Sequence, residues 1–193
     1  MNTLAYKGVI WSKGHKTLLR PVEKADLPHV RTWINDPETR RFMLNRGPIS
    51  ELYEERWLER ISDPGPDMTL AVCLLDGTLI GTMGLHNVDL RHRHATTGSM
   101  IGPHEHRGSG FGYDAKMQLL NFAFNELGLT KVMSRVISFN KRSAAYSAKC
   151  GYKEEARLRQ QIFSAGVWYD ELILSVFRDD WLPLWEKYLK EGE

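Results

Sequence analysis

The chain has 193 residues, 42% of them hydrophobic and 26% charged, the size and composition of one soluble globular domain with a real core. A formal net charge of +2 carries no clustered basic excess of the kind that marks a nucleic-acid surface, so direct nucleic-acid binding is not expected. Cys73 and Cys150 are too few for a disulfide framework and lack metal-site spacing, and the N-terminal stretch has no long apolar run, so the expectation is a reduced, cytoplasmic protein without signal peptide or membrane span.

Residues 4–11 and 16–22 read as extended runs around Ser12-Lys13-Gly14-His15, which predicts an N-terminal β-hairpin. Asp26 then precedes Leu27, Val30, Trp33 and Ile34, one face of a helix that should stop at Asn35-Asp36-Pro37, since proline disfavours helix in the residue before it. A second helix is predicted from the N-cap Ser50 through Leu52, Trp57, Leu58 and Ile61, ended by Pro64-Gly65-Pro66. Residues 68–75 and 78–85 are strand-like on either side of Asp76-Gly77, a hairpin signal. Residues 94–101 form a further strand. After a glycine-rich loop, Ala115, Leu119, Phe122, Ala123 and Leu127 make a helical stripe closed by Gly128. A strand over 130–137, a short helix over 140–150 stopped by Gly151, and an antiparallel pair over 154–163 and 167–177 follow. Trp181, Leu184, Trp185, Tyr188 and Leu189 then mark a closing amphipathic helix. This mixture predicts an α/β or α+β domain on one mixed sheet, with its clear βαβ unit at about 94–137.

The motif around which the rest is organised is Arg107-Gly108-Ser109-Gly110-Phe111-Gly112. Glycines let the backbone turn tightly and approach a ligand, and a helix starting behind them turns free N–H groups and its positive dipole end toward the loop. Such a loop suits a phosphate or pyrophosphate. A nucleotide P-loop needs Lys followed by Ser or Thr after its last glycine, where this chain has Tyr113-Asp114. A dinucleotide fingerprint needs glycines at positions one, three and six, and counting from Gly108 the sixth is Tyr113. Acyl-CoA is the third type.

Residues 95–152 resemble the GNAT superfamily of acetyl-CoA-dependent N-acetyltransferases, and within it the RimJ/RimL-like branch. Arg107 to Gly112 match its Arg/Gln-x-x-Gly-x-Gly/Ala loop. Asn140-Lys141-Arg142-Ser143-Ala144-Ala145-Tyr146, followed by Lys149-Cys150-Gly151-Tyr152, resembles its Asn-x-x-Ser helix ending in Gly-Phe or Gly-Tyr. Weaker echoes are Leu19-Arg20-Pro21 with Asp26, Asn35-Asp36-Pro37 and Trp168-Tyr169-Asp170-Glu171. The resemblance implies a single GNAT-like domain over residues 1–193. Its central sheet would be mixed, largely antiparallel, twisted, of about seven strands, flanked by helices and splayed at the acyl-CoA site. Residues 1–15 would be an N-terminal hairpin extension and about 94–152 the CoA-binding core.

The resemblance also implies roles. The backbone N–H groups of Arg107, Gly108, Ser109, Gly110, Phe111 and Gly112 would form a nest for the CoA pyrophosphate, with Arg107 adding charge. The pantetheine would lie along Ser99-Met100-Ile101, a strand that Gly98 helps to bend, and a backbone N–H near Met100 or Ile101 would receive the oxyanion. Asn140 resembles the residue that hydrogen-bonds the pantetheine. Tyr146 stands where many members carry the acid that protonates the departing thiolate, a role open to a phenol of pKa about 10. Ser143, one turn earlier, would support the same sulfur or a water. Transfer would be direct, from acetyl-CoA to a primary amine such as a protein N-terminus, a polyamine, an amino sugar or an antibiotic, with no metal. Dimerisation is common in the family, so a homodimer through an edge strand or the Trp-rich last helix is the corresponding partner expectation.

Two departures qualify the match. Thr96 stands where the RimJ/RimL-like branch often has a glutamate, and Pro103 lies four residues before Arg107 instead of three. Threonine is a poor base at neutral pH, so the amine's base is sought at His86, with Asp89 second. The missing acid also motivates an alternative, a non-catalytic acyl-CoA-binding or regulatory module on the same fold. Cys150 ends a helix, where the negative dipole end discourages a thiolate, and is not read as an acyl carrier. His86, His92, His94, His104 and His106 crowd one span but lack a helical His pair or Cys partner, and read as loop or substrate-site groups. Tyr146 has the competing reading of a core aromatic. Trp33, Trp57, Trp181 and Trp185 read as core anchors, and Arg40, Arg41 and Arg46 as a solvated basic face in preference to an acceptor pocket.

Overall fold

A computed structural model of the protein describes residues 7–43, 47–63 and 65–191. β1 (Ser12–Lys13) and β2 (Thr17–Pro21) form the N-terminal hairpin, with Ser12 opposite Leu19 and Lys13 opposite Leu18. Its first strand therefore lies where the turn was expected. The bend is two residues later, closed by the Gly14 N–H on the Thr17 carbonyl at 2.9 Å, while the Trp11 N–H extends the pairing to the Leu19 carbonyl at 2.8 Å. Residues 4–6 of the expected first strand fall outside the described residues, as do Arg46 and Pro64.

α1 (Leu27–Asn35) ends at the predicted stop, but α2 (Pro37–Arg40) begins at once. Pro37 takes the first helical position, where a missing N–H leaves nothing unpaired, and the Asp36 carboxylate accepts from the Thr39 N–H at 2.7 Å. Ser50 caps α3 (Glu51–Ser62) as predicted, accepting from the Tyr53 N–H at 3.2 Å. β3 (Met68–Leu74) and β4 (Leu79–Asp89) flank Asp76-Gly77, with Gly77 at φ 93°. β5 (His94–Ile101) is followed by α4 (Phe111–Asn121), which starts two residues before the expected point and relaxes into a π turn over Phe122–Glu126. β6 (Lys131–Ile137), α5 (Lys141–Lys149), β7 (Lys153–Ser164), β8 (Val167–Phe177) and α6 (Arg178–Lys190) complete the chain. Ala165 and Gly166, both left-handed, make the tight turn between β7 and β8.

The described residues form one eight-stranded sheet in the order β1-β2-β3-β4-β5-β6-β8-β7, one strand more than expected because β1 joins it. Pairing is antiparallel for β1–β2, β2–β3, β6–β8 and β7–β8, and parallel for β5–β6, the predicted βαβ unit. The parallel register runs from His94↔Lys131 to Thr97↔Ser134 and stops there, although β5 continues to Ile101. This is a mixed α/β fold of largely antiparallel pairing, as the element pattern and the family resemblance lead one to expect.

The residues cluster into two compact units, one of the chain up to Gly84 with Ser99–Ala115, the other of Leu85–Gly98 with the chain from Lys116 on. In the first, Leu18, Val22, Ala71 and Cys73 are buried, with Trp57, Leu58, Ile61 and Leu79 packed on them. Full burial of Leu18 and Val22 stabilises by about 1.5–3 kcal/mol each. Asp26 stands at the start of α1, as read, and is also half of a buried bidentate pair with Arg20 at 2.7 and 2.8 Å. Burial alone would raise its pKa, but Arg20's hydrogen bonds and the Glu23 N–H outweigh that and hold the carboxyl below its ordinary value. In the second unit Leu119, Leu120, Ala123, Phe124 and Trp181 are buried, Phe124 lies 5.2 Å from Trp181, and Trp185 stacks on Trp181 at 5.3 Å. No helix among the described residues is long and apolar enough to cross a membrane.

Candidate active site

In the first unit the loop takes a conformation that only glycine adopts easily: Gly108 and Gly110 have φ of 81° and 88°. A Cβ at Gly108 would meet open space, and at Gly110 its nearest neighbour would be Lys16 Nζ, at 3.4 Å. Behind the loop stands the 11-residue α4, whose first N–H groups have no helical acceptors.

The loop is held from both ends. At its start the Arg107 guanidinium, 8% exposed, turns inward: Nε donates to the Ile101 carbonyl at 3.0 Å, and Nη2 to the Gly102 carbonyl at 2.6 Å and to Thr39 Oγ1 at 2.8 Å. Its backbone N–H donates to the His104 carbonyl at 3.1 Å. Arg107 therefore ties the loop to the end of β5. At the far end the buried Asp114 carboxylate accepts from the His15 N–H at 2.9 Å, the Thr17 N–H at 2.9 Å and Thr17 Oγ1 at 2.6 Å. Lys16, between those donors, places Nζ 3.3 Å from the Ser109 carbonyl.

The end of β5 is seated by close backbone approaches. Any side chain at Gly81 would strike the Met100 carbonyl, and any at Gly102 would strike the Trp33 indole. Met100 is buried and Ile101 half-buried. His104 Nδ1 lies 3.6 Å from the Glu38 carboxylate, and His106 meets Phe111 edge-on at 5.7 Å.

In the second unit Asn140 caps α5: its Oδ1 accepts from the Ser143 N–H at 3.1 Å, which leaves Nδ2 as the donor end of the amide. Ser143 and Tyr146 are half-buried, one turn apart on one face. The Lys116 ammonium, on α4 and wholly buried, lies 5.6 Å from the Tyr146 ring centroid and 5.5 Å from that of Tyr152, and its Nζ finds no hydrogen-bond partner. Burial works against this cation, but interaction with Tyr146, Tyr152 and Cys150 outweighs it, and its pKa stands above the ordinary lysine value. Burial pushes the Tyr152 phenol up to about 12 and the Cys150 thiol up to about 12, so both are neutral at physiological pH. Thr97 Oγ1 donates to the Met133 carbonyl at 3.1 Å and, with its one proton so used, accepts from the Tyr152 hydroxyl at 3.1 Å.

His86, half-buried on β4, packs its ring on the Gly98 backbone: a Cβ at Gly98 would lie 3.2 Å from Nε2. Gly98 thus makes room for His86, a contact that the reading of it as a bend residue did not contain. Asp89 accepts from the His92 N–H at 2.7 Å, which holds its carboxyl below the ordinary range and makes it a turn residue. Thr96 pairs with Met133. Of the crowded histidines His92 and His94 stack at 6.4 Å, and among the described residues no group of three His, Cys, Asp or Glu side chains is placed to hold a metal.

Sequence reasoning missed Lys16, Asp114, Lys116 and the Thr97–Tyr152 bond. Their partners are far along the chain, 97 positions for Thr17 and Asp114 and 55 for Thr97 and Tyr152, and no local pattern signals such contacts.

Residues 16–153 match the acetyltransferase (GNAT) domain family. The chain is 32% identical over 108 residues to the putative ribosomal N-acetyltransferase YdaF of Bacillus subtilis, covering 56% of this chain and 58% of that protein. It is 25% identical over 173 residues to spermidine N(1)-acetyltransferase of Escherichia coli, covering 87% and 89%. In its fold it is similar to a spermidine N-acetyltransferase of Vibrio cholerae in complex with CoA and spermine, with a TM-score of 0.79, 23% identity and coverage of 86% and 98%. The aligned stretch spans little more than half of the curated relatives that share about a third of its residues.

Proposed function

The chain belongs to the acetyltransferase (GNAT) domain family, and from that premise we propose that it transfers the acetyl group of acetyl-CoA directly to a primary amine of a polyamine-class small molecule. The observation that carries the donor half is the glycine loop: two open left-handed glycines at the head of α4, fixed by Arg107 and Asp114. A loop of this form offers fixed N–H donors to a pyrophosphate. The acceptor half rests on the alignment with spermidine N(1)-acetyltransferase, which runs over 87% of the chain.

The chemistry follows from what each residue can do. Gly108, Ser109, Gly110, Phe111 and Gly112 bind the pyrophosphate through the backbone, and Arg107 acts by holding them. The pantetheine lies along Met100 and Ile101, which β6 does not pair, and hydrogen-bonds to Asn140 Nδ2. A neutral amine attacks the thioester carbon, and a backbone N–H of Met100 or Ile101 receives the oxyanion. The C–S bond breaks, Tyr146 gives its proton to the departing thiolate, and His86 takes the proton that the amine nitrogen loses. Ser143 orients the sulfur or a water beside Tyr146. Amide and free CoA thiol are the products, with no acyl-enzyme.

We further place the chain in the RimJ/RimL-like branch, as one domain over residues 1–193, cytoplasmic, and a homodimer. The free thiols Cys73 and Cys150 support the compartment. The outer strand β7, with Phe163 and its neighbour Trp168 exposed at the tip of its hairpin, supports a strand-mediated dimer. Thiol release from acetyl-CoA, measured with spermidine, spermine and peptides with free N-termini, tests the proposal. Turnover on the polyamines supports it, and turnover confined to the peptides moves the acceptor to a protein N-terminus.

A further inference from the structure

We infer that Lys16 is the cation of the acetyl-CoA pyrophosphate site, carried over the glycine loop by the clamp that Asp114 makes on its neighbours. The inference rests on the reading of the loop as the acetyl-CoA site.

A pyrophosphate diester brings two negative charges, and backbone N–H groups answer them only with partial dipoles, so a full positive charge close by strengthens the site. The basic residue inside the motif does not supply it. Arg107 is 8% exposed, and its guanidinium donates to two backbone carbonyls and Thr39. Lys16 reaches the loop instead: its Nζ is 3.3 Å from the Ser109 carbonyl and 3.4 Å from where a Cβ on Gly110 would stand, above the middle of the glycine run.

The position of Lys16 is built into the fold. The residues on either side, His15 and Thr17, give two backbone N–H groups and a hydroxyl to the same buried carboxylate, Asp114, in the first turn of α4. The bend of the β1–β2 hairpin is thereby fastened to the helix that heads the loop, and Lys16 is the residue at its centre. The buried Asp114 carboxylate accepts all three of these hydrogen bonds. The Lys16 ammonium is exposed, and its one bond to a carbonyl at 3.3 Å is long enough to exchange for a phosphate oxygen at little cost. A lysine acting as a point charge with rotatable donors suits a site where the ligand arrives from solvent.

The test is binding by calorimetry of three ligands that differ in their phosphates: CoA, 3′-dephospho-CoA and pantetheine. Lys16→Met should weaken CoA and 3′-dephospho-CoA by the same factor, about tenfold, and leave pantetheine unchanged, and Lys16→Arg should restore most of the loss. An unchanged CoA affinity, or an equal loss for pantetheine, would overturn the inference and make Lys16 a loop staple. A loss seen with CoA alone would also overturn it, since the contact would then be to the 3′-phosphate. Gly110→Val separates this from the reading beneath it. Undiminished CoA binding in Gly110→Val means that the loop is not the CoA site, whereas its loss beside a neutral Lys16→Met removes only the role of Lys16.

Discussion

Lys116 lies beneath Tyr146, with its Nζ 5.6 Å from the Tyr146 ring centroid, wholly buried and without a hydrogen-bond partner. Burial works against this ammonium, and the neighbouring Tyr146, Tyr152 and Cys150, with cation–π attraction of roughly 2 kcal/mol when desolvated, outweigh it. If Tyr146 yields a proton during transfer, a positive charge at that distance stabilises the phenolate left behind. Lys116→Met, which keeps the length and loses the charge, should therefore lower kcat by about tenfold, with the KM for acetyl-CoA unchanged. Unchanged kcat would leave Lys116 no part beyond packing.

Cys150 is fully buried, and its thiol is pushed up to about 12 by that burial. It should be inert in the native protein. Cys150→Ala is expected to keep transfer activity within about twofold, since an inert buried thiol takes no part in the chemistry. Intact-mass analysis of the wild type with acetyl-CoA alone should show no acetylated enzyme, and an acetyl adduct on Cys150 would refute direct transfer.

Glu54, on α3, is buried with no hydrogen-bond partner for either carboxyl oxygen. Burial pushes its pKa from 4.5 up to about 7, with Arg31 drawing it down and Glu51 raising it further. The folded protein therefore holds a proton that the unfolded chain releases between these values. The resulting stability is complete below the unfolded value and is lost as pH rises through about 7. Glu54→Gln should flatten this slope: denaturation at pH about 5 and about 8 should differ less in the variant than in the wild type, with the variant gaining at the higher pH. Parallel slopes would show that Glu54 is ionised throughout.

What could be read from the chain follows the range of each contact. The glycine loop, the Ser50 cap, the Asp76-Gly77 turn and the Ala165-Gly166 turn are local, since backbone chirality or a side chain three residues away decides them, and the structure has them in place. Asn140 stands out in the sequence by its place in a motif, and its Oδ1 also serves α5 as a cap, a dual use that one sequence does not separate. By its place at the head of the glycine motif Arg107 reads as a charged contact to the pyrophosphate. Its inward turn depends on Thr39, 68 positions away, and on the end of β5, so only the fold reveals it. Asp114 and Lys116, buried polar groups in α4, broke the apolar stripe without a visible reason, and their reasons are the β1–β2 bend and the tyrosines of the α5 region.

Steady-state acetyl transfer from acetyl-CoA to spermidine, with the product identified by mass spectrometry, tests the proposed activity most directly. The expected result is saturable turnover with one CoA thiol released for each acetamide formed, and a fall in kcat of about 10²- to 10⁴-fold in Tyr146→Phe. CoA binding without turnover on spermidine, spermine or peptides with free N-termini would contradict it and leave a module that binds acyl-CoA without using it.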